Sequence, residues 1–100
     1  MKIIIVGCGR NGSGLAQSLS KGGHIVTVID SDAAAFAKLG QDFKGKTIEG
    51  VGFDRDVLAE AGIDRADALA AFTSGDDSNV VIARMAREIY CVPKVVARIY

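Results

Sequence analysis

The chain has 100 residues, of which 49% are hydrophobic and one is proline, a composition that can fill one core and excludes a disordered chain. At roughly 100–200 residues per domain, residues 1–100 form a single domain, which excludes an enzyme carrying both a cofactor domain and a substrate domain. The 12 basic and 12 acidic side chains cancel, so no basic field attracts nucleic acid or an anionic membrane.

Segments rich in β-branched residues alternate with amphipathic segments along the chain. The strand-like segments are nearly continuously apolar, which is typical of strands covered on both faces of a parallel sheet. The three alanines at 67–72 would also suit a helix, but that segment lies between two predicted helices and has the length of a strand. The predicted strands are residues 2–6, 25–29, 47–49 with their flanks, 67–72 and 94–99.

Four helices are predicted between these strands, at residues 12–21, 32–39, 55–61 and 77–91. Asp54 is placed to cap the third helix and Gly62 to end it, while Asp76 or Asp77 is placed to cap the fourth. Strands joined by short helical crossovers form a parallel sheet with helices on both faces. The sequence therefore predicts an α/β fold.

A glycine-rich loop follows the first predicted strand directly, with the pattern Gly7-Cys8-Gly9-Arg10-Asn11-Gly12. In a strand–loop–helix context, the three glycines allow a tight turn, a close approach to a pyrophosphate and close packing of the helix on the strand. Phosphates would meet free N–H groups at the positive end of the helix. The pattern predicts a Rossmann-like, doubly wound sheet of about five strands in the order 3-2-1-4-5.

Asp30 ends the second strand, 18 residues beyond Gly12, where a carboxylate can accept hydrogen bonds from both hydroxyls of an adenosine ribose. Its charge would repel a 2′-phosphate and no arginine follows at 31–33, so NAD(H), ATP or ADP is expected and NADP is disfavoured. The alternative role for Asp30 is to cap the helix at 32–39, which Ser31 or Asp32 could also do.

Polar residues also follow the fourth predicted strand, beside the point where the strand order reverses and ligands bind in such sheets. Thr73, Ser74 and Asn79 are candidate ligand contacts there. Asp76 and Asp77 could hold a cation, although capping of the helix explains them better. In the loop, Arg10 can contact a β- or γ-phosphate or lie on the surface as a solvated side chain.

The two cysteines and the single histidine do not indicate a catalytic or metal centre. Cys8 and Cys91 are 83 residues apart without a CxxC pair, so we expect reduced thiols. Cys8 is interpreted as a small residue packed behind the loop, with a lowered thiol pKa near the helix start as the alternative. His24 has no predicted carboxylate or cysteine partner and is interpreted as structural.

Several longer segments resemble the nucleotide-binding N-terminal lobe of the Trk and Ktr potassium-uptake regulators, also called the RCK or KTN domain. Those that extend beyond the glycine loop are GHIVTVID at 23–30, DRDVLAEAGI at 54–63, ADALAAFT at 66–73, DDSN at 76–79 and VPKVVARI at 92–99. The resemblance covers nearly the whole chain.

The resemblance implies a cytosolic regulatory subunit, not an enzyme, that binds NAD(H), ATP or ADP, assembles into dimers or a ring, and controls a membrane potassium channel or transporter. Asp30 and Ser31 would hold the ribose, and Thr73 with the segment to Asn79 would line the side of the site at the switch point of the sheet. The residues implied to cradle the phosphates are Gly7, Gly9, Arg10, Asn11 and Gly12.

One position departs from the family pattern. The family commonly has an aspartate between the residues that match Gly50 and Gly52, expected near the adenine, and this chain has Val51. Recognition of the adenine by that carboxylate is therefore lost, and backbone groups from Gly50 to Phe53 are left to read its edge.

Family members continue beyond the fifth strand, so we expect the chain to be the N-terminal lobe of a longer protein. No apolar run approaches the roughly 20 residues that span a bilayer, and a cytoplasmic location, peripheral to the inner membrane through the transporter, is expected. The alternative function is the cofactor-binding half of an NAD-dependent oxidoreductase, which would share the loop and Asp30.

Overall fold

Five parallel strands form one sheet in the computed structural model, which describes residues 1–98. Their order across the sheet is β3-β2-β1-β4-β5, and every neighbouring pair is parallel. The predicted α/β class and strand order are confirmed. The strands are β1 (Lys2–Val6), β2 (Ile25–Asp30), β3 (Lys46–Glu49), β4 (Ala68–Ala71) and β5 (Lys94–Ala97).

The helical segments differ from the sequence prediction mainly at their ends and in their type. The helix predicted from residue 12 begins at Arg10, and the segment predicted at 32–39 is a 3₁₀ helix (Ala33–Leu39) whose first turn is capped by Asp32. A further 3₁₀ turn over Ile63–Arg65 was not predicted. The α-helices are α1 (Arg10–Lys21), α2 (Arg55–Glu60) and α3 (Asp76–Arg84).

The helix α3 corrects two further expectations. Gly75 occupies the cap position and neither Asp76 nor Asp77 caps the helix; both lie in its first turn, where carboxylates favour the helix dipole. The α-helical pattern ends at Arg84 and a π-helical turn over Met85–Ile89 completes the segment. The last strand, predicted over residues 94–99, ends at Ala97, and residue 99 of that prediction lies outside the described part of the chain.

Two cores lie on opposite faces of the sheet, as expected for a doubly wound fold. Successive residues of β1 point to opposite faces, so Ile4 packs with the α2 and α3 side while Ile5 packs with the α1 side. Both side chains are fully buried, and each such burial stabilises the fold by roughly 1.5–3 kcal/mol. The near-continuous apolar runs in the sequence follow directly from this coverage.

The buried face of α3, continued by Ala86 in the π-helical turn, does not include the apolar residues Val80 and Val81. Asn79, Ile82 and Ala86 are buried, whereas Val80 and Val81 are 43% and 47% exposed. Residues 79, 82 and 86 share a face at helical spacing. A polar side chain therefore occupies the core position closest to the carboxyl end of β4.

Candidate functional site

A cleft of about 760 Å³ lies across the carboxyl ends of the strands, at the point where the order reverses between β1 and β4. Its volume is within the range of small-molecule and cofactor sites. The predicted site residues that line it are Gly7, Gly9, Arg10, Asn11, Gly12, Asp30, Ser31, Gly50, Val51, Gly52, Phe53, Thr73 and Ser74. Tertiary structure thus brings together residues from four separate segments.

The turn from β1 into α1 requires glycine at its first position. Gly7 has a φ of 106°, in the region that side chains rarely adopt, and a Cβ there would lie 2.5 Å from the carbonyl oxygen of Phe72. The Gly7 N–H donates to the Ile29 carbonyl at 2.7 Å. These contacts hold the loop against the ends of β2 and β4.

The other two glycines of the pattern have different surroundings. A Cβ on Gly12 would collide with the carbonyl oxygen of Gly7, so this glycine allows α1 to pack closely on the loop. A Cβ on Gly9 would meet nothing within 4 Å, so its position faces open space in the cleft. Gly9 is thus the point where a ligand can approach the backbone.

The N-terminus of α1 is open to the cleft. Gly9 is its N-cap, no side chain among residues 1–98 caps it, and its first turn contains Arg10 but no acidic residue. The unpaired N–H groups and the helix dipole make this end positive. A bound anion would satisfy both the N–H groups and the cation in the first turn.

The Asp30 carboxylate is held in a fixed orientation beside the loop. One oxygen accepts a hydrogen bond from the Cys8 N–H at 2.7 Å and the other accepts from the Asp32 N–H at 2.9 Å. A carboxylate has about four acceptor positions, so these two bonds leave capacity for two further donors. Because Asp32 caps the 3₁₀ helix, Asp30 is not needed for that role.

Cys8 is buried behind the loop, as predicted. Its thiol donates to the Ala35 carbonyl at 3.4 Å. Burial raises the pKa of the Cys8 thiol, the nearby Asp30 carboxylate raises it further, and Lys38 partly offsets them. The alternative of a lowered thiol pKa is therefore wrong, and Cys8 is a packed neutral thiol.

Asn79 lies behind the cleft and does not line it. Its amide oxygen accepts from the Thr73 N–H at 2.9 Å and from the Thr73 hydroxyl at 2.7 Å. Its amide nitrogen donates to the Thr73 carbonyl at 3.1 Å and to the Arg98 carbonyl at 2.8 Å. Asn79 is fully buried, so it positions Thr73 and β5 from beneath.

Two cationic cleft residues were missed by the sequence analysis, Lys38 on the 3₁₀ helix and Arg98 just after β5. Arg98 carried a usable signal, because residues at the carboxyl ends of parallel strands line such sites. No sequence pattern indicated Lys38, since the direction of its side chain depends on how the 3₁₀ helix packs. The charged lining residues are the cations Arg10, Lys38 and Arg98 and the acids Asp30 and Asp32.

The other singled-out residues lie elsewhere. Neither His24 nor Cys91 lines the cleft, and the His24 Nδ1 atom lies 3.3 Å from the amino nitrogen of Met1. Within residues 1–98, no group of three or more His, Cys, Asp or Glu side chains could hold a metal ion. The helices described over the same range are all too short or too polar to cross a membrane.

The family model for the TrkA-N domain matches residues 3–100. The chain belongs to the TrkA-N family. The Trk system potassium uptake protein TrkA of Streptomyces coelicolor is 55% identical to it over 100 residues, which are 100% of this chain and 45% of that protein. This TrkA-N chain therefore spans less than half the length of that relative.

Solved structures share the fold of this TrkA-N domain. The Kef CTD of Shewanella denitrificans in its AMP-bound form superposes with a TM-score of 0.84 at 28% identity, covering 98% of this chain and 58% of that one. The TrkA-N domain of the inner membrane protein ybaL from Escherichia coli superposes with a TM-score of 0.82 at 19% identity, covering 94% and 69%. At that identity the second match supports the fold alone.

Proposed function

We propose that this chain is a regulatory domain that binds an adenine nucleotide, NAD(H) or ATP/ADP, and controls a potassium transporter or channel. The observation that carries the proposal is the convergence of the uncapped N-terminus of α1, the close glycine turn and the fixed Asp30 carboxylate in one cleft. The AMP-bound form of the Kef CTD and the name of the Streptomyces relative support it.

In this proposal the ligand lies across the strand ends. The phosphates bind the N–H groups of Gly9 to Gly12 and the Arg10 guanidinium, while Asp30 and Ser31 accept and donate hydrogen bonds to the ribose hydroxyls. Val51 and Phe53, which are 45% and 49% exposed at the cleft, cover the adenine face. Gly50 and Gly52 bring backbone groups to the adenine edge, and Thr73 and Ser74 line the opposite end of the cleft. Asn79 contributes by holding Thr73 in place through its hydrogen bonds.

Binding is tested by isothermal titration of the full chain with ATP, ADP, AMP, NAD⁺, NADH and NADPH. We expect micromolar or tighter binding of at least one nucleotide that has no 2′-phosphate, and weaker binding of NADPH than of NADH because Asp30 repels a 2′-phosphate. Asp30→Asn should reduce the affinity for NADH and narrow the difference between the NADH and NADPH affinities. Asp42→Asn, at an exposed loop position outside the cleft, should change neither. Binding of none of the six would overturn the proposal.

Regulation would operate through population shift, since a ligand moves a transporter between states only by its difference in affinity for them. Rubidium uptake by cells lacking the gene should be altered and should be restored by the unchanged gene but not by Asp30→Asn. Oxidation of NADH by the purified protein, with uptake unaffected, would instead favour the oxidoreductase alternative. As a regulator, the domain would lie on the cytoplasmic side of the inner membrane, at its transporter.

We also propose that the domain associates with further copies of itself. The edge strand β5 and α3 present exposed apolar side chains, including Val80, Val81 and Val96, the last 57% exposed. Sedimentation velocity with and without nucleotide should show dimers or larger assemblies, and Val96→Lys should weaken them. A monomer at all protein concentrations tested would contradict this part of the proposal.

A further inference from the structure

The base of a bound nucleotide would meet the turn that follows β3. The strand order is β3-β2-β1-β4-β5, the glycine loop follows β1, and Asp30 ends β2. A nucleotide with its phosphates at the loop and its ribose at Asp30 therefore extends its base toward β3. No side chain of the turn carries a hydrogen-bonding group. The residues after β3 that line the cleft are Gly50, Val51, Gly52 and Phe53.

Two backbone groups of this turn are already engaged within the protein. The Gly50 N–H donates to the Asp30 carbonyl at 3.0 Å, and the Val51 carbonyl accepts from the Asp54 N–H at 3.0 Å. An adenine edge presents an exocyclic amine beside a ring nitrogen, so recognising it takes an acceptor and a donor side by side. The bonds to Asp30 and Asp54 occupy one donor and one acceptor that could have served.

The surface that the turn offers to a ligand is mainly apolar. A Cβ on Gly52 would collide with Cγ1 of Val6, so glycine lets the turn lie directly on the end of β1. The side chains of Val51 and Phe53 remain nearly half exposed at the cleft. A base bound there would cover apolar surface, which favours binding without regard to the polar groups on the edge of the base.

We infer that this apolar turn binds the faces of the base and does not read its edge, so that the cleft accepts adenine, hypoxanthine and guanine nucleotides alike. The inference rests on the proposed nucleotide-binding function and places its selectivity in the ribose and the phosphates. Contact with an aromatic side chain is tolerant because every base has a π-face. A site rejects an analogue strongly only when its own hydrogen-bonding groups would lose their partners.

The test compares the affinities of the full chain for ATP, ITP and GTP by isothermal titration. In ITP an oxygen replaces the exocyclic amine of ATP and the neighbouring ring nitrogen gains a proton, so the edge of the base is altered and its faces are kept. We expect the three dissociation constants to agree within about threefold, because no side chain of the turn loses a partner. If the chain binds NADH and not ATP, NADH and its hypoxanthine analogue replace the triphosphates in the same comparison.

Two substitutions separate contact with the faces from recognition of the edge. Phe53→Ala should weaken ATP, ITP and GTP by the same factor, roughly fivefold or more, as for the loss of an aromatic contact to a base. Val51→Asp should raise the ratio of ATP affinity to ITP affinity roughly fivefold or more, because a carboxylate accepts a hydrogen bond from the amine and repels the oxygen.

Ile89→Ala is the matched control for Phe53→Ala, because Ile89 is a 50% exposed apolar residue outside the cleft. It should leave all three affinities unchanged, and far-ultraviolet circular dichroism of each variant establishes that the fold is retained. An ATP affinity more than about tenfold above the ITP affinity in the unchanged chain, or a ratio that Val51→Asp does not raise, overturns the inference. Absence of nucleotide binding to the unchanged chain would instead overturn the proposed function itself.

Discussion

Single atoms decide whether the glycine loop can form. Gly12 and Gly14 both lie in α1, two residues apart, yet only Gly12 faces a neighbour close enough to forbid a side chain. Cys8 occupies a similarly restricted place behind the loop, where its thiol is buried beside the Asp30 carboxylate. Whether a glycine is required therefore depends on what a Cβ at that position would contact.

Gly12→Ala should destabilise the domain by about 1–3 kcal/mol, because the added methyl collides with the Gly7 carbonyl and separates α1 from the loop. Urea unfolding measures the change, and nucleotide affinity should fall with it. Gly14→Ala is the control: nothing lies within 4 Å of its Cβ, so the better helix former should stabilise the domain by about 0.5–1 kcal/mol. Equal effects of the two substitutions would contradict the steric explanation.

The raised pKa of Cys8 predicts a loss of stability in alkali. The folded protein keeps the thiol neutral while the unfolded chain ionises it, so stability is complete below the ordinary thiol pKa of about 8.5 and falls as the pH rises through the raised value. The slope should approach about 1.4 kcal/mol per pH unit. Urea unfolding from pH 7 to 10 in a Cys91→Ser background should show this slope, and Cys8→Ser should remove it.

At the scale of elements, α3 supports the site through one buried polar side chain. Asn79 connects the loop after β4 to the end of β5, and all of its hydrogen-bonding atoms are used in doing so. The strands β4 and β5 are only four residues long, so side-chain bonds beyond their ends contribute substantially to their alignment. The Asn79 amide thus continues the hydrogen bonding between β4 and β5 beyond the ends of the two strands.

Asn79→Ala should therefore destabilise the domain by about 3 kcal/mol, because it leaves buried backbone groups of Thr73 and Arg98 without partners. It should also weaken nucleotide binding, since both residues line the cleft. Val80→Ala, the next residue along α3 and 43% exposed, should change the free energy of unfolding by less than about 0.5 kcal/mol. A small effect at Asn79 would show that water replaces the amide.

The molecule as a whole has no net charge, so any affinity for an anion comes from local geometry. The cleft touches the ends of β1, β2, β4 and the residue after β5. A ligand there would contact most of the sheet at once. Binding should consequently stabilise the entire domain and not a single loop.

An ATP or NADH concentration of 100 times the dissociation constant should increase the free energy of unfolding by about 2.7 kcal/mol. Urea unfolding with and without nucleotide measures this increase for the full chain. Asp30→Asn should reduce it at the same nucleotide concentration, while Asp42→Asn should preserve it. Stabilisation that is equal in both variants would indicate that the ligand does not use Asp30.

The amino-acid sequence alone determined the alternation of strands and helices, the glycine turn and the acid that ends β2. These features depend on patterns within a few residues, because apolar runs, turn glycines and short loops act locally. The ends of the helical segments were less accurate, since the 3₁₀ geometry after Asp32 and the π-helical turn after Arg84 depend on packing against the sheet.

Only the tertiary structure decided which residues meet across the sheet. Arg98 reaches Asn11 across 87 positions of sequence, and Asn79 is buried because the face of α3 that contacts β4 and β5 differs from its most apolar face. Such contacts depend on strand order and on the direction of a side chain in the assembled core. For that reason the sequence predicted a phosphate loop, and the fold added the cation that faces it.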